Sequence, residues 1–324
     1  MPILEVQDLH VYYYTLRGVV KAVEGVNLSL EKGEVLGIAG ESGSGKSTLA
    51  YSLLRLVPPP GRIVKGSIRI DGTDITRMSE NELRRKIRWQ KISMVFQGAA
   101  NVLVPVYTVG YQIAEPLMIH KGMSKKEALE RAKELLKMVG LPPSFINRYP
   151  HELSGGQKQR VVIAMALALN PDIVVADEPT TALDVVIQAQ ILNLLKKLKN
   201  ELGISVIIIS HDLSVIAELA DKVAIMYAGR IVEYGPADKV FTEPLHPYTQ
   251  ALLDAIPRLH GPKTRLRYIP GSPPDLRNPP PGCKFAPRCH VLREKQGLAS
   301  KCTHDEPPLV EVNKGHYVRC WLYA

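Results

Sequence analysis

The chain has 324 residues, of which 45% are hydrophobic and 23% charged, the usage of a globular protein with one large domain and a tail, or two domains. It contains no run of about 18 apolar residues and no secretory-type start, so we predict a cytosolic protein without a membrane span. The 41 Lys and Arg against 32 Asp and Glu give a net charge of +9. That charge suits nucleic acid, anionic lipid or phosphate ligands, and equally a solvated basic surface.

Four short apolar runs predict buried strands. They cover residues 34–40, 91–97, 172–177 and 204–210. Each run is apolar almost throughout, as strands covered on both faces are, and helical patterns separate them. The sequence therefore predicts an α/β fold in which helices cover a sheet.

The first of these runs leads into the glycine-rich stretch GESGSGKST. The stretch fits G-x-x-x-x-G-K-[ST] and lies between a strand and a helical pattern, as a P-loop does. In a P-loop, main-chain N–H groups bind phosphate oxygens, the lysine reaches the terminal phosphates and the serine hydroxyl ligates Mg²⁺. The predicted nucleotide-binding residues are Gly40, Ser42, Gly43, Ser44, Gly45, Lys46, Ser47 and Thr48.

Strand patterns stop between residues 99 and 170. Within this stretch, SKKEALERAKELLKMVG predicts an amphipathic helix that begins with a capping box of Ser124 and Glu127. Farther along, LSGGQKQR places Ser154 and two glycines at the start of another helix. A hydroxyl, free N–H groups and a helix N-terminus form a second arrangement suited to phosphate. A helical insert therefore interrupts the α/β core.

Two adjacent carboxylates end the run DIVVADE. Asp177 comes at the end of a predicted buried strand, where it can hold Mg²⁺ through water. Glu178 follows it and is the candidate general base for a water that attacks the γ-phosphate. The pair therefore points to nucleotide hydrolysis.

Proline becomes frequent after about residue 245, and the last stretch of the chain holds all four cysteines. In a cytosolic protein such a cluster favours a metal site over disulfides, and four thiolates can hold zinc or a [4Fe–4S] cluster. Unligated thiols are the third possibility. We expect a small appended domain with little core of its own, and we expect its histidines, His290, His304 and His316, at the surface. The cysteines are Cys283, Cys289, Cys302 and Cys320.

In this order the motifs resemble those of ATP-binding-cassette (ABC) ATPases. LSGGQ matches the family signature, Gln97 the Q-loop, Asp184 the D-loop and His211 the switch histidine. The family also has an aromatic residue that stacks on adenine. Tyr13 is its best match here, and strand alternation does not choose between it and the neighbouring Tyr12 and Tyr14.

The resemblance implies a P-loop NTPase cassette with a RecA-like core, an antiparallel β subdomain and a helical subdomain. The core would comprise residues 1–98 and 171–245, and the helical signature subdomain residues 99–170. A C-terminal metal-binding extension with the four-cysteine site would follow in residues 246–324.

It also implies a mechanism in which two cassettes pair head to tail around ATP. The signature residues would then contact ATP held by the partner's P-loop, and Glu178, His211 and Gln97 would be catalytic. The implied Mg²⁺ ligands are Ser47, Gln97 and Asp177, and the implied signature residues are Ser154, Gly155, Gly156 and Gln157.

Four stretches resemble the ATP-binding subunits of dipeptide and oligopeptide permeases. They are the opening LEVQDLHVYYYTLRGVVKAVEGVNLSL, then GESGSGKS, VYTVGYQIAEPL and HPYTQALLDAIP. The resemblance implies ATP-driven peptide import at the inner face of the cell membrane, with a paralogous cassette, two integral membrane permease subunits and an external solute-binding protein as partners. It implies no nucleic-acid partner. Its cofactors would be ATP, Mg²⁺ and a [4Fe–4S] cluster, with zinc as the alternative.

Three alternatives stay open: a related importer for oligosaccharides, one for nickel, or an ABC ATPase without a transport role. One stretch departs from the permease pattern. GAANVLVPV, residues 98–106, stands where the family often has D-P-x-x-S-L-N-P.

Overall fold

The computed structural model describes residues 2–255, 269–294 and 296–324. Its strands are β1 (Leu4–Thr15), β2 (Gly18–Leu30), β3 (Val35–Ala39), β4 (Gly61–Ile70), β5 (Thr73–Asp74), β6 (Ile92–Val95), β7 (Ile173–Asp177), β8 (Ser205–Ser210), β9 (Lys222–Tyr227), β10 (Arg230–Pro236), β11 (Val310–Asn313) and β12 (His316–Val318). Its helices are α1 (Lys46–Leu53), α2 (Glu80–Glu82), α3 (Ala99–Val102), α4 (Val109–Lys121), α5 (Lys125–Met138), α6 (Gly155–Ala166), α7 (Val185–Leu202), α8 (Leu213–Leu219), α9 (Ala237–Thr242), α10 (Pro247–Asp254), α11 (His290–Glu294) and α12 (Ala299–His304).

The main sheet has the strand order β11-β12-β10-β9-β3-β8-β7-β6. The strands from β9 to β6 in this order run parallel, and β10 pairs antiparallel with β9. Every residue of β3, β6, β7 and β8 is buried. These are the four strands predicted from apolar runs, and the α/β prediction is confirmed.

A second, antiparallel sheet has the order β2-β1-β4-β5. Its inner side chains, such as Leu4 and Leu9, share one buried cluster with Ile38 of β3 and Leu49 of α1. The antiparallel sheet therefore packs against the face of the main sheet on which α1 lies.

The segment between β6 and β7 is helical, as its sequence predicts. Ser124 and Glu127 form the predicted capping box at the start of α5. Buried side chains of α4, α5 and α6, including Ile113, Leu135 and Val162, form one cluster together with residues of the main sheet. None of the helices in the described residues is long and apolar enough to cross a membrane.

The described part of residues 246–324, called the C-terminal segment below, packs directly against the rest of the cassette. β12 pairs with β10, so the last described strands extend the main sheet. Phe285 is buried against Tyr227 of β9 and Tyr248 of α10, with ring centroids 5.3 Å away in both cases. The apolar side chains of the C-terminal segment complete a cluster begun by β9 and β10, which agrees with the expectation of little core of its own.

One histidine expected at the surface lies in this shared core. His316 is 1% exposed, and its Nε2 lies 2.8 Å from Oε1 of the fully buried Glu233. The same carboxylate accepts the main-chain N–H groups of Leu245 and His246, at 2.8 and 2.9 Å. A buried carboxylate needs such partners, and the sequence alone shows none of these pairings.

Candidate nucleotide-binding and hydrolysis site

The P-loop joins β3 to α1 and depends on two glycines packed against main chain. A Cβ at Gly45 would lie 2.1 Å from the carbonyl oxygen of Ala22, and one at Gly40 would lie 2.2 Å from that of Met226. Gly45 also has φ +103°, a backbone angle that residues with a side chain rarely adopt. The glycines let the loop lie against the main chain of β2 and β9, while Ser42 and Gly43 stay exposed and Ser44 is buried.

Lys46, the cationic residue of the loop, is buried, with 6% of it exposed. Its Nζ donates to the carbonyl oxygens of Gly40 and Glu41, at 2.7 and 2.9 Å. Burial lowers the pKa of this amine, and the nearby Glu178 and Asp177 partly offset the effect. The ammonium is therefore held within the concave side of the loop, next to the carboxylates.

Asp177, at the end of β7, is fully buried and neither of its carboxylate oxygens has a well-formed hydrogen bond among the described residues. Burial raises its pKa, the Ser47 hydroxyl opposes the rise, and the negative charge of Glu178 adds to it. An unpaired buried carboxylate beside a serine hydroxyl is a site that a cation stabilises. The donor set of Asp177 and Ser47, with the amide oxygen of Gln97 in the neighbouring loop, fits Mg²⁺.

Glu178 is surrounded by three polar side chains. Thr181 Oγ1 and Gln97 Nε2 donate to its Oε2 at 2.7 and 3.3 Å, and His211 Nδ1 lies 3.0 Å from its Oε1. Burial opposes ionisation of Glu178, but the hydrogen bonds from Thr181 and His211 outweigh it and lower the pKa. Glu178 thus stays an anion that can accept a proton and is held in one orientation.

The backbone at Glu178 is strained, with φ +48°. A left-handed conformation at a residue other than glycine persists only where surrounding contacts enforce it, and such residues cluster at functional sites. Thr181 is the member of this group that sequence reasoning missed. Its position three residues after Glu178 was the available signal.

Among the three consecutive tyrosines of β1, Tyr13 is the one that contacts the P-loop in the described residues. Its hydroxyl lies 3.4 Å from Thr48 Oγ1. The Tyr12 hydroxyl bonds His10 at 3.2 Å, and Arg62 lies over the Tyr14 ring at 4.2 Å. The geometry therefore favours Tyr13 as the aromatic residue beside a bound nucleotide.

The structure does not bring the signature residues to this site. Ser154 caps α6 in a capping box with Gln157, and Ser154, Gly155 and Asp184 are exposed. Asp184 in turn caps α7 by accepting from the Ile187 N–H at 2.9 Å. In the described residues no hydrogen bond joins these side chains to the P-loop, so they present a separate polar surface.

The four cysteines come close together without forming a recognisable metal site. Cys289, Cys302 and Cys320 line one small cavity, and the Cys283 N–H donates to the Cys302 carbonyl oxygen at 2.8 Å. All four are free thiols, and burial raises the pKa of each, that of Cys283 to about 12 and that of Cys320 to about 11. Within the described ranges no group of three or more His, Cys, Asp or Glu is arranged to hold a metal ion, so the predicted metal centre is not supported.

Comparison with known proteins assigns most of the chain. Residues 23–181 match the ABC transporter family, and residues 232–295 match the C-terminal region of oligopeptide/dipeptide transporters. The chain is 49% identical over 325 residues to the oligopeptide transport ATP-binding protein OppD of Bacillus subtilis, covering 99% of this chain and 88% of that protein. It is 48% identical over 323 residues to the dipeptide transport ATP-binding protein DppD of Lactococcus lactis, covering 99% and 90%.

Solved structures agree on the cassette. A dimeric bacterial ABC transporter cassette is 36% identical, has a TM-score of 0.65 and covers 72% of this chain and 98% of its own. A dimeric post-hydrolysis state of that cassette, bound to ADP and phosphate, has a TM-score of 0.64 at the same identity and coverage. The chain therefore belongs to the ABC transporter family, among the ATP-binding proteins of oligopeptide and dipeptide transport.

Proposed function

We propose that this chain hydrolyses ATP to drive the import of dipeptides or oligopeptides through a membrane permease. The hydrolytic role is supported by the surroundings of Glu178, an ionised side chain on a strained backbone. Its carboxylate is hydrogen-bonded to Gln97, Thr181 and His211 and lies near Lys46 and Asp177. The peptide substrate is supported by the relatives named for oligopeptide and dipeptide transport and by the matching C-terminal region.

In this mechanism Glu178 accepts the proton of the water that attacks the γ-phosphate, and His211 and Gln97 orient that carboxylate. Lys46 and the main-chain N–H groups of the P-loop bind the phosphates, and Tyr13 stacks on adenine. Ser47, Gln97 and Asp177 would hold Mg²⁺, which would supply positive charge opposite the phosphates. Positioning of the water and electrostatic stabilisation of the phosphates together supply most of the catalysis in such reactions.

The exposure of Ser154 and Gly155 in the signature and of Asp184 in the D-loop supports pairing with a second cassette. Ser154, Gly155, Gly156 and Gln157 would contact ATP held by the partner, with Asp184 alongside. We propose that the partner is a paralogous ABC ATPase and that the pair docks on two integral membrane permease subunits at the inner face of the membrane, fed by an external solute-binding protein. Reconstituted transport with this chain as the sole cassette would contradict the heterodimer.

The domain division is part of the same proposal. Residues 1–98 and 171–245 form the ATPase core, residues 99–170 the signature subdomain and residues 246–324 the extension. Part of the extension, residues 256–268 and 295, lies outside the described residues.

The decisive experiment on hydrolysis replaces Glu178 by Gln. Glu178→Gln keeps the hydrogen-bonding shape but cannot take the proton, so ATP hydrolysis should fall on the order of 10²-fold or more while ATP binding is retained. ATPase rates and equilibrium ATP binding measure the two effects. The matched control is Glu218→Gln, an exposed carboxylate on α8 that should hydrolyse ATP at the wild-type rate. Wild-type turnover by Glu178→Gln would remove Glu178 from this role.

We also propose that the four cysteines bind a [4Fe–4S] cluster, with zinc as the alternative. The proposal rests on the chemistry of the four thiols and on the small cavity that Cys289, Cys302 and Cys320 share, although the described residues form no metal-holding group. Anaerobically purified protein should then be brown, with iron and acid-labile sulfide near four per chain, as the cluster type requires. Colourless protein with stoichiometric zinc would show that the cysteines bind zinc instead of an iron–sulfur cluster. Protein without metal would overturn the proposal.

A further inference from the structure

Glu41, the second residue of the P-loop, is held by the C-terminal part of the chain. Its carboxylate forms a two-point ion pair with Arg288, from Nη1 to Oε2 at 2.6 Å and from Nη2 to Oε1 at 3.0 Å. Two parallel charge-assisted hydrogen bonds fix both the position and the plane of a carboxylate. The two residues lie 247 positions apart, so this is a contact of tertiary structure.

Arg288 is itself fixed by other contacts. Its Nε donates to the Pro270 carbonyl oxygen at 2.8 Å, and its Nη1 lies 3.2 Å from the Tyr227 hydroxyl. Only 6% of the residue is exposed. Hydrogen bonds to Pro270 and to Tyr227 of β9 therefore fix the guanidinium in the orientation in which both of its Nη atoms reach Glu41.

A second residue of the C-terminal part holds the main chain of Glu41. The Glu41 N–H donates to the Tyr248 hydroxyl at 2.9 Å, and Tyr248 is fully buried. Its ring packs against Tyr227, with centroids 4.6 Å apart, and against Phe285. The hydroxyl is thus presented at a fixed point beside the loop.

Glu41 passes these constraints to the phosphate-binding lysine. Its carbonyl oxygen accepts a hydrogen bond from Lys46 Nζ at 2.9 Å. One residue of the P-loop, Glu41, therefore contacts Arg288 through its side chain, Tyr248 through its N–H and Lys46 through its carbonyl group.

We propose that Arg288 and Tyr248 are positioning residues for ATP, which hold Glu41 so that the P-loop and Lys46 are preorganised for the phosphates. The inference rests on the proposed ATPase function and adds that the C-terminal segment is part of its binding machinery. Preorganisation lowers the cost of binding because the loop does not have to be ordered by the ligand.

The test measures ATP affinity and turnover in Arg288→Gln and Tyr248→Phe. Tyr248→Phe keeps the ring packing and loses the hydroxyl, so it remains folded and informative if Arg288→Gln does not. We expect Kd and KM for ATP to rise about tenfold in each, the size expected for a lost charge-assisted or buried hydrogen bond, with a smaller change in kcat. Arg288→Lys, which keeps the charge without the fork, should fall between wild type and Arg288→Gln.

A double-mutant cycle separates positioning from general destabilisation. In a Glu41→Gln background, Arg288→Gln should have little further effect on Kd, because the ion pair is already lost. Arg277→Gln is the matched control, since it removes an exposed arginine paired with Asp275 in the same segment and should leave Kd unchanged. Wild-type Kd in both Tyr248→Phe and Arg288→Gln, or full additivity with Glu41→Gln, would overturn the inference alone, whereas a wild-type chain that neither binds nor hydrolyses ATP would overturn the proposed function as well.

Discussion

Gly45 shows how one residue decides whether the P-loop can form. Its backbone has φ +103°, and the space where a side chain would begin is filled by the carbonyl group of Ala22. Gly43 in the same loop also has a positive φ, +79°, but its missing side chain would meet nothing within 4 Å. The two glycines therefore separate conformational strain from steric overlap.

Gly45→Ala should abolish ATP binding and destabilise the fold more than Gly43→Ala. Gly43→Ala carries only the left-handed backbone penalty, about 1–2 kcal/mol, whereas Gly45→Ala must also displace the Ala22 main chain. Denaturant unfolding and ATP titration of both variants measure the difference. Equal free energies of unfolding in the two variants would mean that the main chain of β2 moves aside without loss of stability.

At the scale of elements, α10 of the C-terminal segment contacts both the P-loop and Phe285 through Tyr248. His246 caps this helix by accepting the Tyr248 N–H at 3.0 Å through Nδ1, and its own N–H donates to Glu233. Burial lowers the pKa of His246 to about 3, and the nearby positive charge of Arg319 adds to the effect. The neutral imidazole is thus a structural acceptor at the start of α10.

This histidine predicts a pH dependence of stability. The unfolded chain binds the proton near pH 6.5 and the folded chain only near pH 3, so the free energy of unfolding should fall as pH drops between these values. The contribution is at most about 1.4 kcal/mol per pH unit from one such group.

His246→Asn keeps a side-chain cap but does not titrate, so denaturant unfolding between pH 7 and 4 should show a shallower slope than in wild type. The exposed His151→Asn is the control and should leave the slope unchanged. A wild-type slope in His246→Asn would assign the acid sensitivity to other groups.

At the scale of the whole molecule, the main sheet runs through both the cassette and the C-terminal segment. β12 closes the exposed side of β10, and His316 supplies the partner of the buried Glu233. The salt-bridged core of Lys284 and Glu24 joins the same segment to β2. The fold therefore depends on contacts between residues that are far apart in the chain.

Removing residues 310–324 should destabilise the cassette itself. The truncation strips β11 and β12 from the sheet and removes the His316 imidazole that lies 2.8 Å from Glu233, a loss on the order of 1–3 kcal/mol for one partner of a buried polar group. Calorimetry should show one cooperative transition for the full chain and a lower Tm for the truncated one. Two separate transitions in the full chain, or an unchanged Tm after truncation, would indicate that the segment folds independently.

The sequence by itself determined the parts whose signals are local. The four buried parallel strands follow from continuous apolar runs, and the capping box of Ser124 and Glu127 follows from a spacing of three residues. The P-loop follows from the spacing G-x-x-x-x-G-K-[ST], and the Asp177–Glu178 pair follows from its place at the end of an apolar run. Each of these depends on neighbours within a few residues, so the printed sequence carries the whole signal.

Only the tertiary structure decided the rest. Strand alternation does not choose among the three tyrosines of β1, and only the packing of β1 against α1 brings the Tyr13 hydroxyl 3.4 Å from Thr48. The partners of Glu178, the burial of His316 and the hold of Arg288 on Glu41 join segments up to 247 residues apart. Such pairings depend on how sheets and helices pack, because the free energy of a buried polar group is set by the partners that packing brings to it.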